Sequence, residues 1–65
     1  MIKLHDYWGS DEYSNRRAEV MKNVHGFYVE MYKDDILIET KELYEHSESY
    51  AEDAAENYVM GILNP

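Results

Sequence analysis

No cysteine occurs among the 65 residues, which excludes disulfides, thiolate zinc sites and cysteine nucleophiles together. A small secreted disulfide scaffold is excluded with them, and a reducing cytoplasm is the expected compartment. Proline occurs once and glycine three times, so the chain has no flexible linker and no glycine-rich phosphate loop. No apolar run approaches the roughly 18 residues that would read as a membrane span. The start Met1-Ile2-Lys3-Leu4-His5-Asp6 lacks the apolar core of a signal peptide, so a protein without membrane contact is expected. Basic residues are scarce: six Lys or Arg stand against fourteen Asp or Glu, for a formal charge of −8. Direct binding of nucleic acid through a basic patch is thereby excluded.

What is present is aromatic and unevenly charged. Seven tyrosines, one phenylalanine and one tryptophan are too many aromatics for a disordered acidic tail. A chain of this length supports one domain, 1–65, and buries only about 60% of the surface that its unfolded form exposes. Residues 1–33 are neutral, whereas residues 34–65 carry Lys41 alone against nine acids, so the whole net charge lies in the second half. Such polarity suits a solvated surface, and equally a partner with a basic face.

The residue pattern predicts an α+β fold: a small three-stranded antiparallel meander packed against one C-terminal helix. Phe27 to Lys33 and Ile36 to Leu43 are rich in aromatic and β-branched residues, and Asp34-Asp35 between them suits a tight turn, giving a hairpin over 27–43. Residues 17–22 are expected as a third strand, with a helix over about 10–21 as the alternative, and residues 1–16 are left as an unassigned N-terminal segment. In that segment Ile2, Leu4, Tyr7 and Trp8 can cover part of the sheet, with Trp8 expected as a core plug. Ser49 and Glu52 have capping-box spacing, and Gly61 followed by Asn64-Pro65 marks a stop, so the helix is expected over about 49–60. Its apolar face comprises Ala51, Ala54, Ala55, Tyr58, Val59 and Ile62.

A hairpin centred on Asp34-Asp35 sets Met31 opposite Ile38, Glu30 opposite Glu39 and Tyr28 opposite Lys41. Phe27, Val29, Met31, Ile36 and Ile38 then face the helix, and Tyr28, Glu30, Tyr32, Leu37, Glu39 and Lys41 form an uncovered face. A four-residue loop at 23–26 adds Glu19 to make a row Glu19/Glu30/Glu39, whose like charges cost a few tenths of a kcal/mol or more unless Arg17 and Lys41 neutralise them.

Enzyme signatures are absent: there is no nucleophile elbow, kinase set or calcium loop, and His5, His25 and His46 are scattered without metal-site spacing. No catalysis, cofactor or metal is expected. The candidate partner-binding residues are Tyr28, Glu30, Tyr32, Asp34, Asp35, Glu39, Glu52, Asp53 and Glu56, with tyrosines supplying a desolvated centre and acids the attraction.

The runs Gly26 to Lys33, Leu37 to Glu42 and Tyr50 to Val59 resemble short acidic proteins of tailed bacteriophages, especially those of marine bacteria. The order of hairpin then acidic helix is similar in layout to the small T7-type phage inhibitor of bacterial RNA polymerase, which sets an acidic surface against a basic channel. The resemblance implies a phage-encoded modulator or inhibitor docking on a basic surface of a host protein such as a nucleic-acid enzyme, in the host cytoplasm. The alternative expectation is a structural homo-oligomer, such as a homodimer, built by pairing sheet faces or edge strands. Strand-strand-strand-helix order also resembles double-stranded RNA-binding domains, but Glu48, Glu52 and Asp53 stand where those domains are basic, which excludes that function.

Overall fold

Two left-handed aspartates organise the sheet. Asp34 and Asp35 have φ of 54° and 64°, the conformation of a type I′ turn, whose twist matches that of the strands it joins. Around this turn the computed structural model, which describes residues 2–63, places β1 (Ile2–Trp8), β2 (Arg16–Asn23), β3 (Gly26–Lys33), β4 (Ile36–Leu43) and α1 (Glu48–Val59), with a short 3-10 turn at Asp11–Tyr13. The architecture is α+β: one open antiparallel sheet of four strands in the order β1-β2-β3-β4, with the helix on one face. The expected third strand is present and the alternative helix over 10–21 is not. A fourth strand comes from the unassigned N-terminal segment, where Ile2–Trp8 pairs along β2. The helix contacts β1, β2 and β3 and is too short to cross a membrane.

The core lies between the helix and the central strands. Ala18, Val20, Val29 and Met31 project from β2 and β3 toward Ala51, Ala55, Tyr58 and Val59, and all are buried. Small alanines on the helix let its backbone approach the sheet closely. Ile62, expected on that face, lies beyond the helix and is 67% exposed. Gly61 does stop the helix, with φ of +82°, while Asn64-Pro65 lie outside the described residues. The helix start differs from expectation: Ser47 is the N-cap, and its Oγ accepts from the Tyr50 N–H at 3.2 Å. Ser49 lies inside the first turn, so the Ser49/Glu52 capping box does not form.

Both edge strands carry a bulge. In β1 the register shifts at Leu4, which packs on the core. In β4, Tyr32 pairs with Leu37 but Met31 pairs with Glu39, leaving Ile38 as the extra residue. The expected register therefore holds beside the turn and fails beyond it: Glu30 faces Thr40, and Tyr28 faces Glu42. Glu39 and Lys41 consequently lie on the helix side of the sheet, not on the uncovered face. The physical reason is Leu43, which the shift sets opposite Phe27 and buries to 5% exposure, at the expense of leaving Ile38 45% exposed.

Candidate functional site

The helix turns its apolar stripe to the sheet, which forces its carboxylates outward. Glu48 and Glu52 are one turn apart and half-buried, and Asp53 and Glu56 are exposed. Glu48 in the first turn complements the positive helix end, but no basic residue occupies the last turn to complement the negative one. The acids toward the C-terminal half thus gain nothing from the helix dipole.

His5, set by the β1 bulge, is the basic group that reaches this face. Its Nε2 lies 2.9 Å from Glu48 Oε2 and 3.2 Å from Glu52 Oε2. The hydrogen bond to Glu48 raises the His5 pKa above the ordinary imidazole value, and the same bond holds the Glu48 carboxyl below the usual carboxylate range. The three donor atoms lie within 4.8 Å of one another, a set able to ligate a cation, although exposed ion pairs of this kind exist without one. Tyr7, nearby on β1, has its phenol pKa raised, first by burial and then by the carboxylates of Glu52, Glu56, Asp53 and Glu48. The face is a region of negative potential that one imidazole cannot neutralise.

Beside it runs a groove of about 400 Å³ between the helix and β4, lined by Tyr50, Asp53, Ala54, Asn57, Ile62 and Lys41. Tyr50 is 49% exposed at its rim, with its ring stacked on His46 at 3.9 Å. Acidic helix face and apolar groove meet at Asp53.

The residues expected to bind a partner fall on separate surfaces. Tyr28, Glu30 and Tyr32 lie on the sheet face away from the helix; Asp34 and Asp35 are exposed in the turn; Glu39 is on the helix side of β4; Glu52, Asp53 and Glu56 are on the helix. Tyr28 is 5% exposed, covered by its sheet neighbours and set edge-on to Tyr44, which removes it as an exposed anchor. On the uncovered face the acidic row is Asp6-Glu19-Glu30, with Asp6 in the place expected for Glu39. Each member has a compensating neighbour: Lys3 on Asp6 at 3.2 Å, Arg17 on Glu19 at 2.7 Å, and the Tyr32 hydroxyl donating to Glu30 at 3.3 Å. Lys41, on the other face, takes no part. Arg17 lies 3.9 Å from the Tyr32 ring centroid and 5.5 Å from that of Trp8, so Trp8 is a 64% exposed surface residue and not a core plug. His5, Glu48, Tyr50 and Ile62 were not expected at the site. The signal for Glu48 is its four-residue spacing from Glu52, hidden when the helix is started at Ser49.

Comparison with protein-family models, curated proteins and solved structures gives no match, so the functional reading rests on this geometry.

Proposed function

We propose that this chain is a non-enzymatic acidic binding module whose helix face docks on a basic surface of a host protein, of the kind that enzymes acting on nucleic acid present. The observation that carries the reading is the outer face of α1, whose charged residues, Glu52, Asp53 and Glu56 among them, are all acidic, bordering an apolar groove where Tyr50 and Ile62 are exposed. Charge of one sign steers encounter, and the adjoining apolar groove supplies the desolvated contact that sets lifetime. The bacterial host and the modulating or inhibiting outcome are proposed from the resemblance read in the sequence alone.

The test presents the immobilised chain with the heparin-retained fraction of a bacterial lysate, which concentrates proteins with basic surfaces. The expected result is near-stoichiometric capture of a defined protein at low salt, lost on Glu52→Gln/Asp53→Asn/Glu56→Gln and retained by Glu12→Gln. Capture of nothing, or of the same protein by the triple variant, overturns the proposal.

A further inference from the structure

Among the described residues the outer edge of β4 is unpaired, because β4 closes the sheet on that side. It is also apolar near the turn, where Ile36, Leu37 and Ile38 are 66%, 46% and 45% exposed. Free main-chain donors and acceptors beside exposed apolar side chains form a template for another strand. The helix makes its main contacts with β1, β2 and β3, and only the Leu43 end of β4 packs into the shared core.

We infer that a second copy of this chain fills this edge, with β4 pairing antiparallel to its symmetry mate about Thr40. The argument is one of charge register. Antiparallel edge pairing by a two-fold axis normal to the sheet brings same-face residues opposite one another. Along the regular part of β4, Glu39, Lys41 and Leu43 share one face and Thr40 and Glu42 the other. Centring on Glu39 sets two glutamates face to face, centring on Lys41 sets two lysines, and centring on Glu42 again sets two glutamates. Centring on Thr40 sets Glu39 against Lys41 of the second copy, twice over, and opposes no like charges. Beyond the bulge, Ile36 meets Leu43 of the second copy on the helix side. Among the described residues neither Glu39 nor Lys41 has an ion-pair partner within one chain, so the pairing breaks nothing. The product is a continuous eight-stranded sheet with both acidic helices on one side. This edge includes none of Glu52, Asp53 and Glu56 and meets the host-facing groove only at Lys41, so the Glu39 and Thr40 variants test it independently of the helix face.

Sedimentation equilibrium of the full chain tests it, with variants checked for unchanged circular dichroism. The parent is expected to reach the mass of two chains below roughly millimolar concentration. Lys41→Glu and Glu39→Lys each weaken the dimer about ten-fold or more by turning both pairs repulsive, and Glu39→Lys/Lys41→Glu together restores it to within about three-fold. Thr40→Cys supplies the only thiol in the chain and is expected to form a disulfide-linked dimer on oxidation, much faster than Glu42→Cys. A monomer at millimolar concentration, single reversals without effect, or a double reversal that fails to restore association overturns the inference. Equal cross-linking at the two positions overturns the register.

Discussion

Replacing Tyr58 by phenylalanine tests how the helix is fixed to the sheet. Tyr58 is 1% exposed, and its hydroxyl donates at 2.9 Å to the main-chain carbonyl of Tyr32, where the β3–β4 register shifts. Burial raises its phenol pKa, so the group stays a neutral donor at physiological pH. The substitution keeps the ring and its packing against Arg16, whose guanidinium lies 4.9 Å from the ring centroid, and removes one hydrogen bond. A part-buried carbonyl left without that donor costs about 1–2 kcal/mol. At about 4–8 °C per kcal/mol for a domain of this size, the melting temperature should fall by roughly 5–15 °C. Thermal melts followed by circular dichroism measure the shift and urea unfolding the free-energy difference, with an unchanged m-value showing that the same surface is exposed. Tyr28→Phe is the matched control: that side chain is 5% exposed, but its hydroxyl has no hydrogen-bond partner among the described residues, so its loss should stay within about 0.5 kcal/mol. Equal effects at the two tyrosines would refute the reasoning.

Other outcomes follow from the ion pairs and the turn. The His5 pairing should contribute stability between the lowered Glu48 pKa and the raised His5 pKa, fading as pH rises through the latter and as it falls through the former. Melting curves of the parent and His5→Gln should therefore converge at high pH, and an NMR titration placing His5 at or below the ordinary imidazole value would contradict this. Arg17→Met strands the Glu19 carboxylate, 9% exposed beside Asp6 and Glu30, and should cost about 2–3 kcal/mol, most of it recovered in Arg17→Met/Glu19→Leu; a double-mutant cycle with coupling under about 0.5 kcal/mol would count against the pair. Asp35→Gly, at φ 64°, relieves a left-handed conformation and should stabilise by about 1 kcal/mol, read as a higher midpoint in urea.

The parts legible in the sequence are those governed by neighbours along the chain. Asp34-Asp35 declares its turn, the spacing of Ala51, Ala54, Ala55, Tyr58 and Val59 declares the buried helix face, and the 23–26 loop sets Glu19 opposite Glu30. The illegible parts were decided at a distance. Ser47 and Ser49 are both able N-caps, and packing selects the first. Strand β1 hides because its bulge at Leu4 breaks the two-residue alternation by which strands are recognised. The fault in the β4 register arises where two demands conflict: the turn dictates one pairing and the burial of Leu43 another, with Ile38 absorbing the difference. Sorting the candidate residues onto their surfaces failed with it, since Glu39 changed sides and Tyr28 was buried by neighbours that no local pattern supplies.

Ile38 functions as slack in the hairpin. Because it stands outside the ladder, the turn and the Leu43 end of the strand are held by separate constraints, and the length of chain between them is not fixed by either. Dropping Ile38 keeps Tyr32 opposite Leu37 and Met31 opposite Glu39, whereas losing a residue further along, such as Lys41, would close the bulge by turning the residues between Ile38 and the gap to the opposite face. Insertions and deletions in related chains are accordingly expected to gather at this one codon, which makes it the place to splice a reporter or a cross-linking group into the hairpin without disturbing the helix.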